Sequence, residues 1–182
     1  KVNNEIVSLL NQNGGQAVSL SGKSANIFNA KRIRSKKDED LGYVGTIESV
    51  DTKLIHTLCD EGYIPVISSI GSDGNGESLN LNADNVASAV ARYLGSKKLI
   101  YLTDVDGVMV DQALVSQLTL SSAKELMSHP DIQGGMLPKL DCSIQAVAGD
   151  VDSVHIINGS TDHAVLLEIF TDRGIGTMVT NE

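Results

Sequence analysis

Aromatic residues are nearly missing from this chain, which has no tryptophan, two phenylalanines and four tyrosines in 182 residues. Val, Ile, Leu and Ala must therefore fill its core. Cysteine is as scarce: Cys59 and Cys142, with no C-x-x-C spacing. That excludes a thiolate zinc site and a disulfide framework, fits a reducing compartment, and predicts two small core residues. Basic residues are outnumbered, 14 Lys and Arg against 23 Asp and Glu, which argues against nucleic acid as a partner. No run is long and apolar enough to span a membrane. No basic, apolar leader opens the chain. It begins at Lys1 with a helical pattern at once, and reads as a piece of a longer polypeptide. G-x-x-x-x-G-K-[ST], H-E-x-x-H and G-x-S-x-G are all missing. His56, His129, His155 and His163 stand at no metal-binding spacing.

Helical and strand patterns alternate along the rest. Asn3 or Asn4 is expected to cap a helix carrying Ile6, Val7, Leu9 and Leu10, stopped by Gly14 and Gly15. The spacing predicts strands at QAVSL, IFNAKRIR, GYVGTIESV, YIPVISSI (a buried one), KKLIYLT, SVHII and GTMVT. It predicts helices from Asp51 to Gly62, in ADNVASAVARYLG capped by Asn82, in AKELMSH with a Ser122/Glu125 capping box, in PKLDCSIQAVAG and in DHAVLLEIF. SKKDED and SGKSAN are expected as loops, and GSDGNG as a hairpin or loose loop rather than a dinucleotide fingerprint. The alternation implies an α/β fold with a mainly parallel sheet and helices on both faces, a three-layer α/β/α sandwich. Ligands of such sheets gather beyond the carboxyl ends of strands.

Three segments can carry chemistry. In LTDVDGVMVD, Asp104 and Asp106 end a strand with Gly107 after them. A plain turn explains them; so does a nucleotide gripped by carboxylates and amides, and a metal site less well. In LNLNADNV, capping accounts for Asn82 or Asp84 but not for all three polar residues. Asn80 is left to donate to a substrate, and Asp84 to orient a lysine. In QGGMLPKLD, Gly134 and Gly135 loosen the chain before Pro138 starts a helix and delivers Lys139. A surface lysine is ordinary; a lysine placed over a reacting anion is the sharper reading.

These segments, with the opening KVNNEIVSLLNQNGGQAVSLSGK and the closing HIINGSTDHAVLLEIFTDRGIGTMV, resemble the amino acid kinase family along essentially the whole chain. Carbamate, uridylate and aspartate kinases share the TDVDGV-type segment. NLNAD, GGMLPK and FTDRGIGTM together resemble the acetylglutamate kinases. The resemblance implies the amino acid kinase fold with an incomplete N-lobe. Residues 1–94 would be the remainder of that acetylglutamate-binding lobe, and 95–182 the ATP-binding lobe. It implies transfer of the γ-phosphoryl group of ATP to the side-chain carboxylate of N-acetyl-L-glutamate, on the arginine route. Lys139 would be the second of two lysines stabilising the transition state, Asp84 their positioner, and Asn80 a substrate ligand. Asp104, Val105, Asp106, Gly107, Val108, Met109, Asp131, Ile132 and Gln133 would lie along ATP, with Mg²⁺ carried mainly by the phosphates.

His155, Glu168 and Gly174 match an L-arginine inhibitor site in one branch of the family. Further implications are a homo-oligomer (dimer or hexamer), a PII-type signalling protein as partner, and a cytoplasmic location, or a plastid one after loss of a transit peptide. The family's first strand with its Lys-Gly-Gly, a later glycine-rich turn and a substrate-gripping arginine have no counterpart here, so this chain alone is expected to be inactive. The competing reading is a non-catalytic nucleotide-binding or oligomerising module of the same fold.

Overall fold

The computed structural model describes residues 1–35, 39–171 and 174–182. It divides into two compact units, Lys1–Leu94 and Gly95–Glu182.

In the first unit, helix α1 (Val2–Gln12) packs on strand β1 (Ala17–Ser21) and on β4 (Ile64–Ser68). These two strands pair in parallel, from Ala17 with Ile64 to Ser21 with Ser68. No side chain caps α1. Asn3 lies inside the helix instead, its Nδ2 donating to the Val66 carbonyl at 2.8 Å and its Oδ1 accepting from the Ser19 hydroxyl. A local cap was expected there; the side chain is drawn to the strands, where backbone and hydroxyl groups need partners. β4 is half-buried rather than buried. Helix α2 (Lys53–Asp60) packs on it and ends before Gly62. Cys59 of α2 is exposed, contrary to its expected place in the core, while Cys142 is buried.

Strands β2 (Phe28–Arg34), β3 (Asp40–Val50), β5 (Ile70–Ser72) and β6 (Ser78–Leu81) close into a small barrel in the order β2-β3-β6-β5. Ile27 and Phe28 are fully buried, and Leu79 and Leu81 point inward from β6, so alternate positions of that strand face out. Leu20, Leu54 and helix α3 (Ala83–Leu94), through Val86 and Ala89, complete this apolar cluster. The expected charged loop over 35–40 includes Lys36, Lys37 and Asp38, which lie outside the described residues. Asp40 already belongs to β3 and meets Arg32 at 2.9 Å. GSDGNG forms the β5–β6 hairpin. There the amides of Asn75 and Glu77 donate to Asp73 Oδ1 at 2.9 and 3.1 Å, and the Asn75 amide above all holds that carboxyl below its usual range.

In the second unit, β7 (Lys98–Thr103) pairs in parallel with β11 (Ser153–Asn158), β11 pairs antiparallel with β12 (Thr177–Thr180), and β12 pairs in parallel with β10 (Gln117–Thr119). Parallel pairs predominate in this sheet, with one antiparallel step inside it. A two-stranded hairpin, β8 (Met109–Val110) and β9 (Ala113–Leu114), turns on Asp111 and Gln112, both at positive φ as the tightest hairpin turn requires. Helix α4 (Leu120–Leu126) is capped reciprocally by Thr119 and Ser122 rather than by Ser122 and Glu125. The Thr119 hydroxyl, one residue before the helix, reaches the Ser122 amide at 3.2 Å and takes the capping role first. Helix α5 (Met136–Ala148) packs on β11 and β12, and the short helix α6 (Ala164–Phe170) packs on β11.

β11 is buried from Ser153 to Ile157. Its alternate side chains divide between two helices. Ile156 pairs with Tyr101, the ring beneath Lys139 of α5, while His155 bonds to Glu168 of α6. Helices thus cover both faces of this sheet.

Candidate nucleotide and effector sites

The carboxyl ends of β7 and β11 lie side by side, Thr103 opposite Asn158. Past them the chain turns through Asp104, Val105 and Asp106, all exposed. Asn158 Nδ2 donates to Asp106 Oδ1 at 2.8 Å, and the Gly159 amide donates to the Thr103 carbonyl at 2.8 Å. The two strand ends are therefore stitched together at the place where such sheets receive ligands.

Gly107 sits at φ +148°, and a Cβ there would lie 2.6 Å from Thr177 Oγ1. No other residue fits this turn without moving β12. Thr177 is fully buried; its hydroxyl accepts from the Val108 amide at 2.8 Å and donates to the Val115 carbonyl at 2.7 Å. Val108 and Ile132 are buried, so of the segments expected along a nucleotide these two face the core. Met109, Asp131 and Gln133 instead line an open pocket of about 660 Å³ with Asp111 and Gln112. The Asp111 amide donates to Asp131 Oδ2 at 2.8 Å, fixing one wall of that pocket. Gln133 Nε2 donates to the Pro130 carbonyl.

Lys139 lies at the end of the first turn of α5 and is half-buried. Its ammonium stands 5.6 Å from the centroid of the buried Tyr101 ring, within cation–π range. Pro138 is in the same first turn, where its lost N–H costs nothing. Gly134 takes φ +55°, and a Cβ at Gly134 or Gly135 would meet nothing within 4 Å. The two glycines therefore leave open space ahead of the lysine rather than packing against a wall.

The first unit carries the other two candidates. Asn80 is exposed on β6 between the inward Leu79 and Leu81. Asn82 caps α3, its Oδ1 accepting from the Asn85 amide at 3.1 Å, and Asp84 is half-buried in the helix's first turn. Asn82 thus does the capping, and neither Asn80 nor Asp84 is needed for it.

A second pocket, about 270 Å³, is lined by His155, Glu168 and Gly174 together with Lys98, Gln117 and Met178. The structure brings together three residues that the sequence holds up to nineteen positions apart. His155 Nδ1 is 2.5 Å from Glu168 Oε1, and the Ile175 amide donates to Glu168 Oε2 at 2.7 Å. Gly174 sits at φ +60°, where a Cβ would come within 2.8 Å of the Glu168 carboxylate.

Sequence reasoning missed Tyr101, Asn158, Thr177, Lys98 and Ser153. The Asn of HIING, at a strand end, was the one readable sign among them. Among the described residues no group of three or more His, Cys, Asp or Glu side chains converges. None of the described helices is long and apolar enough to cross a membrane.

A stitched strand-end crevice, a glycine-only turn and a half-buried lysine on a neighbouring helix stand where an open α/β sheet receives its ligands. Residues 1–158 match the amino acid kinase family, and the chain belongs to it. It is 46% identical to an acetylglutamate kinase of Thermosynechococcus vestitus, over 98% of this chain and 61% of the relative. It is 49% identical to an acetylglutamate kinase of Methanocaldococcus jannaschii, over 100% of this chain and 65% of that protein. The chain thus spans less than two thirds of the length of these relatives. Among solved structures it resembles N-acetylglutamate synthase from Neisseria gonorrhoeae complexed with coenzyme A and L-arginine, with a TM-score of 0.80 at 30% identity, over 92% of this chain and 38% of that one.

Proposed function

We propose that this chain is the larger part of an acetylglutamate kinase. The observation that carries the reading is Lys139, half-buried at the start of α5 over the Tyr101 ring. In the proposed reaction a side-chain carboxylate oxygen of N-acetyl-L-glutamate attacks the γ-phosphorus of ATP. The bond from that phosphorus to the β,γ-bridging oxygen breaks, giving an acyl phosphate and ADP. Charge spreads over the equatorial oxygens of the moving group, and an ammonium held in place offsets it without covalent chemistry. The segments 104–109 and 131–133 serve the nucleotide, and Asn80 the acceptor, with Asp84 as positioning carboxylate. Mg²⁺ would be carried mainly by the nucleotide's phosphates.

The test is acyl phosphate formation trapped as a hydroxamate. The longer protein carrying this sequence should form it from N-acetyl-L-glutamate and ATP, and the 182-residue chain alone should not. No hydroxamate from the longer protein would favour the non-catalytic, nucleotide-binding module. Turnover by the chain alone would show that the Lys-Gly-Gly segment is dispensable.

A second ligand is favoured by the pocket of His155, Glu168 and Gly174. It holds a carboxylate, a lysine and a glycine-opened approach side by side, which suits an amino acid bearing a guanidinium. We infer L-arginine as an inhibitor bound there, in line with the arginine complex of the related synthase.

A further inference from the structure

We propose that Ser153 is a positioning residue of the effector pocket: its hydroxyl holds Nε2 of His155, fixes that ring as the Nδ1–H tautomer, and so sets the direction of the Glu168 carboxylate. Ser153 and His155 are two residues apart on β11 and share one face of the strand. Ser153 Oγ is 2.9 Å from His155 Nε2, and His155 Nδ1 is 2.5 Å from Glu168 Oε1. Glu168 Oε2 accepts the Ile175 amide at 2.7 Å. The line from Ser153 to Ile175 is therefore continuous, joining β11 to the segment that follows α6. Ser153, His155 and Glu168 are each less than 9% exposed, at 8%, 3% and 8%.

The order of protons along this line follows from chemistry. An ionised carboxylate only accepts, so the proton between His155 and Glu168 belongs to Nδ1. The opposite ring nitrogen of a neutral imidazole then carries a lone pair, and in a buried site it needs a donor. The Ser153 hydroxyl is that donor. With the ring reversed, two lone pairs would face each other at 2.5 Å. Which nitrogen of a histidine carries the proton is set by what its other nitrogen bonds, and here a serine makes that choice. Glu168 is thus held at one oxygen by His155 and at the other by Ile175, leaving its remaining lone pairs for a cation in the pocket. A serine that merely fills a strand position would do none of this.

The proposal rests on the inhibitor reading for its ligand but not for its tautomer, and one set of proteins separates the two. Long-range ¹H–¹⁵N spectra of the longer protein carrying this sequence report which ring nitrogen of His155 is protonated. The wild type should show Nδ1–H, Ser153→Ala a mixture of forms, and Ser153→Thr the wild-type form again. Calorimetric titration with L-arginine should show affinity about tenfold weaker in Ser153→Ala, the worth of one buried hydrogen bond, and near normal in Ser153→Thr. A wild-type ring protonated at Nε2 overturns the proposal even if the alanine variant fails to fold. So does a Ser153→Ala variant with unchanged tautomer and affinity. If the tautomers behave as stated and no protein binds arginine, Ser153 keeps its role and the inhibitor reading falls.

Discussion

The two units bury different polar groups: among the described residues the first takes in the small hydroxyls of Ser72 and Ser88, the second an ionisable pair as well. Residues 1–94 gather an apolar cluster around Ile27, Phe28, Leu79 and Leu81 and keep Asn80 on the outside. Residues 95–182 take polar groups into the interior: Ser153, His155, Glu168 and Thr177 are buried, each with a hydrogen-bond partner. In the first unit the proposed acceptor ligand, Asn80, lies apart from the core. In the second, side chains that line the proposed effector pocket also hold β11 to α6.

That contrast can be broken experimentally. The largest effect belongs to the first unit's core. Phe28 is fully buried, and Phe28→Ala should lower stability by about 3–5 kcal/mol in urea unfolding. A loss under about 1 kcal/mol would show that the cluster is not what holds this unit. Next comes Lys139. In the longer protein, Lys139→Ala should lower turnover by about two to three orders of magnitude with nucleotide affinity little changed. Near-normal turnover would remove the lysine from the reaction. Smaller again, Asn80→Ala should raise KM for the acceptor by about tenfold while sparing KM for ATP, as expected for one lost hydrogen bond to a charged group. An equal defect toward ATP would move Asn80 to the other ligand.

The smallest effect is Asp73, whose carboxyl is held below its ordinary value of 3.8, first by the Asn75 amide. A depressed folded-state value stabilises the hairpin above that ordinary value and loses the contribution as pH falls below it. Carboxyl ¹³C shifts should give a midpoint below 3.8, and a midpoint at or above it would mean that the turn does not hold the anion.

Much of the fold was legible in the sequence, because long periodic segments declare themselves. α3, α5, β2, β3, β7 and β11 fall where their patterns put them. What escaped depends on partners distant in sequence or on elements too short for a period. Asn3 looked like a cap because caps are local, yet its partner Val66 is 63 residues away. β8 and β9 have two residues each, too few to show alternation, and their turn uses Gln112 where Gly or Asn is usual. The resemblance named His155, Glu168 and Gly174 together, and the fold places all three around one pocket. Ser153 was not legible, since a serine two positions before a histidine is commonplace in strands. Its meaning appears only when the helix brings Glu168 to the other side of the ring. The segments proposed for a nucleotide were named as runs, and only the fold separates Val108 and Ile132, turned to the core, from Met109, Asp131 and Gln133, turned to the pocket.

β12 lies between β10 and β11, and the Thr177 hydroxyl ties down both Val108 and Val115. Chains leave the ribosome from their N-terminus, so β7 and β11 can pair while β10 still waits for its neighbour. The strand that joins them, and the hydroxyl that closes the glycine turn more than sixty residues earlier, emerge after every other strand of this sheet. During synthesis the crevice at the strand ends therefore stays unfinished until Thr177 has emerged. Without β12, one edge of β11 and the short strand β10 are left unpaired, the kind of edge that templates pairing with other chains.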